Sequence, residues 1–293
     1  MKNFKLWLGG ARPRTLPLSV LPVILAVALV SLEKATWFSL WYLDLLCLVV
    51  AVALQVGVNY ANDYSDGKRG TDKDRVGPER LVGSGKVPAK LVLRAAGISF
   101  AIAVLAGLTV VLLTMQWWLI LVGALCVLGA WFYTGGKKPY GYKPLGELAV
   151  LIFFGIIPVV GVMFVNLGHV SFWGWWGGVA VGLMAAAVLM INNIRDLEKD
   201  QKHHKKTLAT YLGPGLSRLI YGELLIMPFA MAVILAVRYP YVWAVLFVMV
   251  LALQTISRVN RTTEPKQLVA LLGRTVQVAI LYTLVLSVAL VLK

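Results

Sequence analysis

The sequence predicts an all-α, polytopic membrane protein. Of its 293 residues, 59% are hydrophobic and only 14% carry a charge. The apolar residues gather in runs of about 20, the length that crosses a bilayer as a helix. A soluble domain with a large core does not have this pattern. The net charge of +15 would suggest nucleic-acid binding in a soluble protein. Here we attribute it to basic loops that contact anionic lipid headgroups, and we expect no nucleic-acid partner.

Nine apolar segments can be counted along the chain, and each is taken as one transmembrane helix. Several contain Gly or Pro, which membrane helices tolerate because their neighbours satisfy the freed backbone groups. We therefore predict one domain over residues 1–293, with nine spans at about 15–32, 39–61, 91–113, 117–134, 146–166, 172–194, 216–237, 240–257 and 269–292.

The basic residues predict the orientation of these spans. Of the 28 Lys and Arg residues, 25 lie in the N-terminal segment or near the loops after the second, fourth, sixth and eighth spans. Basic residues accumulate on the cytoplasmic side of membrane proteins. We therefore expect a cytoplasmic N-terminus and a multi-pass protein of the cell (inner or plasma) membrane.

A polar and acidic segment, 59–75, directly follows the second apolar run. Asn62 and Asp66 are four residues apart, so on a continuing helix they share one face, and Asp63 and Asp72 lie in the same segment. Mg²⁺ binds one or two protein carboxylates and completes its shell with water and substrate phosphate. A bound metal ion is one interpretation of this segment. A solvated acidic turn that ends a helix is the other.

A second segment, 192–206, repeats this pattern after the sixth apolar run. Asn192 and Asp196 are again four residues apart, and Asp200 follows one turn later. Two acidic helix ends in corresponding places indicate an internal duplication whose halves face one site. We predict that this site lies on the cytoplasmic side and holds a diphosphate together with Mg²⁺.

Cations surround both acidic segments and suit a negatively charged headgroup. The loop between the second and third spans is about 25 residues long, and loops of that length are usually functional. A loop that is basic only because it is cytoplasmic is the alternative. The best candidates for phosphate contacts are Arg75, Lys137, Arg195 and Lys205.

With both motifs placed, the chain resembles the UbiA superfamily of intramembrane prenyltransferases, which are nine-helix bundles with two Asp-rich motifs. The segments 62–72, 75–80, 133–136, 139–142, 145–147 and 192–196 resemble its dihydroxynaphthoate prenyltransferase branch. The first motif departs from the wider superfamily's Asp-x-x-x-Asp. Gly70 stands where the second Asp is usual, and the next acid is Asp72. The branch shares that shift, so whether Asp72 binds metal directly stays open.

The resemblance implies a reaction and roles for particular residues. A polyprenyl diphosphate would prenylate 1,4-dihydroxy-2-naphthoate with loss of its carboxylate, with Mg²⁺ as cofactor. The implied metal ligands are Asn62, Asp66, Asp72, Asn192, Asp196 and Asp200. The implied catalytic residues are Asp63, Asp66, Tyr133 and Asp196. Arg12, Arg80 and Lys206 are candidates for binding the acceptor.

Three alternatives remain open at this stage. The first is an enzyme of the same fold with another acceptor, such as 4-hydroxybenzoate, homogentisate, a tetrapyrrole or a lipid alcohol. The second is a CDP-alcohol phosphotransferase, but the first motif lacks the closing residues of that class. The third is a cation-coupled transporter, whose sites lie at the bilayer midplane rather than at helix ends. The sequence leaves the prenyl chain length and the oligomeric state undetermined.

Overall fold

The computed structural model describes residues 2–70, 80–203 and 205–293. Over these ranges the chain is helical, and none of the described residues forms a strand. The α-helices, in chain order, are α1 (Lys2–Ala11), α2 (Pro17–Glu33), α3 (Trp41–Arg69), α4 (Ala89–Thr114), α5 (Leu119–Phe132), α6 (Gly146–Leu151), α7 (Ile157–Leu167), α8 (Phe172–Lys202), α9 (Leu208–Ala236), α10 (Val245–Arg261) and α11 (Pro265–Leu292).

The all-α prediction is confirmed, and the apolar helices lie where the nine segments were predicted. In the described ranges, seven helical stretches are long and apolar enough to cross a membrane: Trp37–Arg69, Ala89–Thr114, Gly146–Leu167, Phe172–Lys202, Leu208–Ala236, Pro240–Arg261 and Pro265–Leu292. The helices α2 and α5 are also apolar but shorter. Nine crossings and the cytoplasmic N-terminus therefore stay predictions.

The two helices that carry the acidic motifs extend beyond their apolar runs. Helix α3 has 29 residues and is capped by Gly70, whose φ of 73° is a left-handed conformation that glycine adopts without strain. Helix α8 has 31 residues and ends at Lys202. Basic residues in the last turn of each helix oppose the partial negative charge there. Asn62 and Asp66 therefore lie one helical turn apart, as predicted, and so do Asn192 and Asp196.

Polar side chains of α3 hold the linker between α1 and α2. The amide of Gln55 donates a hydrogen bond to the carbonyl of Thr15 at 2.9 Å. One turn later, the amide of Asn59 donates to the carbonyl of Ala11, also at 2.9 Å. These bonds satisfy buried backbone oxygens between the two helices. They also fix the position of Arg12, which follows Ala11.

Backbone packs directly against backbone where α6 and α7 cross α8. A π-helical turn, Ile152–Ile156, joins α6 to α7. A Cβ added at Gly178 would lie 2.9 Å from the Cα of Ile156, and one added at Gly182 would lie 2.6 Å from the carbonyl oxygen of Leu151. Small residues allow such close approach of membrane helices. This contact holds α6 and α7 against α8, which carries the second motif.

We expect Gly182→Val to destabilise the protein. The added side chain would overlap the Leu151 carbonyl, and a backbone atom in a helix cannot move aside. Overpacking of this kind costs about 3 kcal/mol. Thermal unfolding of the purified protein in detergent measures the effect. Gly97→Ala on α4 is the control, because its Cβ meets no atom within 4 Å. Equal melting temperatures for the two variants would contradict the close contact.

Candidate active site

A cavity of about 700 Å³ lies at the centre of the helix bundle. Its polar end is lined by Arg12, Asn59, Asn62, Tyr133 and Asn192. The remainder is almost wholly apolar, with walls from α3, α4, α5, α7 and α8. Both predicted motifs therefore contribute an asparagine to the same cavity, as the prediction of one shared site required. The aspartates, Asp66 and Asp196, lie one turn further toward the ends of their helices.

The loop after α5 orients the oxygen atoms of the first motif. The Thr134 hydroxyl donates to Oδ1 of the buried Asn62 at 2.6 Å. The Tyr142 hydroxyl donates to Oδ1 of Asp66 at 2.8 Å. Amide and carboxylate oxygens are the kind of hard donor that binds a cation. The two side chains are therefore held on one face of α3.

Tyr142 also connects the two motifs. Its ring centroid lies 5.2 Å from the Arg69 guanidinium carbon and 5.4 Å from the Lys205 ammonium nitrogen, which are cation–π distances. Its carbonyl oxygen accepts a hydrogen bond from the Lys206 amide at 3.1 Å. Tyr142 therefore links the end of α3 to the segment after α8. Sequence reasoning did not select it, because Tyr140 in the same segment has an equal claim.

The second motif carries an internal cation. The guanidinium of the buried Arg195 donates from Nε to Oδ1 of Asp196 at 2.8 Å, and from Nη2 to Oδ1 of Asn192 at 2.8 Å. Arg195 was predicted to contact phosphate. In the structure it holds two predicted metal ligands, and its contact with Asp196 is bidentate. The phosphate contact stays a prediction. The oxygens of Asn192 and Asp196 thus form a site that attracts positive charge.

Two further carboxylates lie beside this motif. Asp200 is buried, and its Oδ2 lies 3.7 Å from the ammonium nitrogen of Lys205. Glu147 on α6 accepts a hydrogen bond from the Asn193 amide at 2.8 Å. The side chain of Asn193 therefore bonds to Glu147, and Asn192 is the asparagine of this motif that lines the cavity. Glu147 belongs to the segment 145–147 that carries the resemblance, but sequence reasoning assigned it no role in the site.

Asp63 anchors the backbone of the loop that enters α4. Its carboxylate is fully buried and accepts hydrogen bonds from the backbone amides of Leu81 at 2.9 Å and Val82 at 3.0 Å. A buried carboxylate needs such donors, because burial removes the water that would otherwise solvate it. The structure therefore shows a positioning role for Asp63, and its predicted catalytic role stays a prediction. Arg80, which precedes Leu81, is held beside the first motif by the same contact.

Two tyrosines stack beside the polar end of the cavity. The rings of Tyr133 and Tyr140 meet edge to face, with centroids 5.4 Å apart. The Tyr140 hydroxyl donates to the carbonyl of Gly129 at 2.7 Å, and burial raises the pKa of Tyr140 to about 12, so it stays protonated. By contrast, Tyr60 packs on α1, where its hydroxyl donates a hydrogen bond to the Trp7 carbonyl oxygen at 3.0 Å.

The remaining predicted residues lie at different depths. Arg12 lines the cavity and Arg80 is half-buried, whereas Lys137 and Lys206 are exposed. Asp72 and Arg75 lie outside the described residues. Arg12 is therefore the candidate acceptor-binding residue that the structure brings to the cavity.

The donor atoms near the cavity fit Mg²⁺. Among the described residues, no three His, Cys, Asp or Glu side chains form a metal-binding cluster. Each motif instead offers one amide oxygen and one carboxylate, from Asn62 with Asp66 and from Asn192 with Asp196. Hard oxygen donors in small number are what Mg²⁺ takes when substrate phosphates complete its shell. A metal ion on the second pair would share these oxygens with the Arg195 guanidinium.

Comparison with known proteins decides the family. Residues 19–278 match the model of the UbiA prenyltransferase family. The chain belongs to this family. The UbiA chain is 43% identical to "1,4-dihydroxy-2-naphthoate octaprenyltransferase" of Mycobacterium tuberculosis, with 99% of this chain and 98% of the relative covered. It is 32% identical to the protein of the same name from Escherichia coli, with 95% and 92% covered.

Solved structures of other UbiA proteins share the fold. An apo UbiA homolog from Aeropyrum pernix superposes with a TM-score of 0.67 at 19% identity, covering 93% of this chain and 94% of that one. A UbiA homolog from Archaeoglobus fulgidus bound to DMAPP and Mg²⁺ superposes with a TM-score of 0.64 at 14% identity, covering 97% and 99%. At this identity the likeness establishes the fold of the UbiA chain.

We expect Asp63→Ala to release the loop after residue 80 while the helices stay folded. The change leaves the amides of Leu81 and Val82 without their acceptor, and an unpaired buried donor costs about 1–3 kcal/mol. Hydrogen exchange at these amides should therefore accelerate roughly tenfold or more. Lys90→Ala is the control, because Lys90 is exposed at the start of α4. Unchanged protection in Asp63→Ala would contradict the anchoring role.

Proposed function

We propose that the protein transfers a polyprenyl group from polyprenyl diphosphate to 1,4-dihydroxy-2-naphthoate. The ring carbon that bears the carboxylate forms the new bond, CO₂ and diphosphate leave, and the product is demethylmenaquinone in its reduced form. The observation that carries this proposal is the 43% identity over almost the full length of both chains to the mycobacterial 1,4-dihydroxy-2-naphthoate octaprenyltransferase. The cavity, polar at one end and apolar along its length, suits such a donor.

Four residues of the described chain would hold Mg²⁺: Asn62, Asp66, Asn192 and Asp196. Bound there, the metal would neutralise the charge that develops on the departing diphosphate. Asp200 and Asp72 remain proposed further ligands. Arg195 keeps Asn192 and Asp196 in position, as its hydrogen bonds to both residues indicate.

Cations near the motifs would bind the diphosphate oxygens. Lys205 lies over the Tyr142 ring and 3.7 Å from Asp200, so it is held close to both motifs. Lys137 is exposed in the loop that orients Asn62. We propose Lys205, Lys137 and Arg75 for this role. We also propose that the positive charge of Arg195 attracts the diphosphate.

The acceptor carries a carboxylate, and Arg12 is the cation that lines the cavity's polar end. Arginine matches a carboxylate with two parallel hydrogen bonds. We propose Arg12 as the principal acceptor-binding residue, with Arg80 and Lys206 at the entrance. The Tyr133 ring faces the same cavity, and an aromatic face stabilises an allylic cation. The apolar walls keep water from reaching that cation.

We also propose nine membrane crossings with the N-terminus and the active site on the cytoplasmic side. The two shorter helices, α2 and α5, complete the count. The excess of basic residues beside the acidic motifs supports the orientation. With this topology the chain forms a single domain that lies in the cell membrane. Its two halves each supply one motif, at 59–75 and 192–206.

Mass spectrometry of the quinone product tests the function. Membranes containing the protein are supplied with Mg²⁺, octaprenyl diphosphate and, in parallel, 1,4-dihydroxy-2-naphthoate, 4-hydroxybenzoate or homogentisate. The proposal expects a prenylated naphthoquinol with release of CO₂ and diphosphate. Prenylation of another acceptor alone would assign a different member of the family. Absence of diphosphate release with every acceptor would exclude prenyl transfer and leave transport as the alternative.

We expect Asp66→Ala and Asp196→Ala each to reduce Mg²⁺-dependent prenyl transfer by roughly 100-fold or more. Each change removes a carboxylate that stabilises charge in the transition state. The matched control is Glu198→Ala, an exposed acid two residues from Asp196 on the same helix. It should keep the activity of the unchanged protein. Full activity in either aspartate variant, at equal membrane abundance, would rule out the proposed metal role.

A further inference from the structure

The apolar part of the cavity has glycines where its walls could carry side chains. Gly107 on α4, Gly123 on α5 and Gly161 on α7 all line it. A Cβ added at Gly123 or Gly161 meets no atom within 4 Å, and one added at Gly107 meets only a Val50 methyl at 3.8 Å. These glycines are therefore not required for close helix packing. They leave open space inside the cavity.

Two of these glycines lie at a similar depth. Gly107 is beside Val50, which precedes Asn62 on α3 by 12 residues, or about 18 Å along the helix. Gly123 precedes Tyr133 by ten residues, or about 15 Å. Asn62 and Tyr133 mark the polar end of the cavity. The open space thus begins some 15–18 Å from the place where the diphosphate would bind.

The cavity wall is open beside the same two glycines. Helix α5 has no buried residue along its described length. Four residues line the cavity and yet remain more than 40% exposed: Val104 (43%) and Leu108 (41%) on α4, and Ile120 (45%) and Leu128 (51%) on α5. The accessible area of these side chains includes the part that faces the cavity, and no residue of α5 is fully covered by other helices. The gap between α4 and α5 is therefore a short way from the cavity to the lipid-facing surface.

Helix α5 is held near its two ends. The rings of Trp118 and Phe164 meet edge to face with centroids 4.9 Å apart, which fixes the start of α5 to α7. Near its other end, the Gly129 carbonyl oxygen accepts a hydrogen bond from the Tyr140 hydroxyl. Gly123 lies between these two contacts. The middle of α5 is therefore the part of the wall beside which a chain can pass.

The length of the donor decides whether it needs this opening. An extended isoprene repeat spans four chain bonds and advances about 5 Å. A distance of 15–18 Å holds three or four repeats, whereas eight repeats extend to about 40 Å. A short tail fits between the polar end and the glycines. A long tail must continue past them.

We propose that Gly107 and Gly123 form the passage through which a long prenyl tail leaves the cavity between α4 and α5. These two glycines thereby determine the length of prenyl diphosphate that the enzyme accepts. The proposal rests on the proposed function, since it concerns the tail of the same donor. The ligand it assigns to the opening is the apolar part of an isoprenoid beyond its fourth repeat.

The test is prenyl transfer to 1,4-dihydroxy-2-naphthoate from geranyl diphosphate and from octaprenyl diphosphate. In Gly123→Phe and Gly107→Leu, the added side chain fills the open space. Transfer of the octaprenyl group should then fall roughly 100-fold relative to the geranyl group, because overpacking opposes the long tail alone. The control is Leu121→Phe, which adds similar bulk on the outward face of α5, where Leu121 is 66% exposed. It should leave the ratio of the two rates unchanged.

Retained geranyl transfer also shows that each variant is folded. If Gly123→Phe does not accumulate in the membrane, Gly107→Leu and the smaller Gly123→Val decide the question by the same ratio. An unchanged ratio in folded variants, or an equal loss with both donors, overturns the proposal. An unchanged protein that is inactive with both donors instead refutes the proposed function, so the two failures are distinguishable.

Discussion

The structure depends on one constraint: each carboxylate at the end of an apolar bundle needs a hydrogen-bond donor or a cation as its partner. A charge in such surroundings must be hydrogen-bonded or paired, because water cannot solvate it freely. Asp63 accepts hydrogen bonds from two backbone amides, and Asp66 accepts one from the Tyr142 hydroxyl. Asp196 accepts hydrogen bonds from the Arg195 guanidinium. The contacts of Asp63 and Asp66 also fix a segment of backbone from another part of the chain. The acids therefore organise the polar end of the cavity as well as supplying its chemistry.

The segment that follows α5 brings the two motifs together. Thr134 reaches Asn62, and Tyr142 reaches Asp66 with its hydroxyl and Lys206 with its carbonyl. One short stretch of chain thus contacts both the end of α3 and the residues after α8. Since these contacts act on side chains proposed to bind the metal, the segment sets their orientation before any substrate arrives.

Glycine has two opposite uses in the bundle. Gly178 and Gly182 allow α8 to approach the π-helical turn so closely that a Cβ would overlap backbone atoms. Gly107 and Gly123 face open space, so the absence of a side chain there enlarges the cavity. The first use stabilises a helix contact and the second leaves room for a ligand. The sequence shows the same residue type in both places, and only its neighbours distinguish them.

The sequence by itself determined the helical class, the approximate helix positions and the two Asn–Asp pairs, because apolar runs and four-residue spacing are local properties of the chain. It could not determine what each polar side chain contacts. Asp63 proved to be a backbone anchor, Arg195 turned toward Asp196, and Tyr142 emerged as the link between the motifs. Arg195 bonds to neighbours on its own helix, whereas the contacts of Asp63 and Tyr142 join residues 18 and 76 positions apart in the chain. The tertiary structure alone brings such residues together, since their contacts follow from helix packing and not from local spacing.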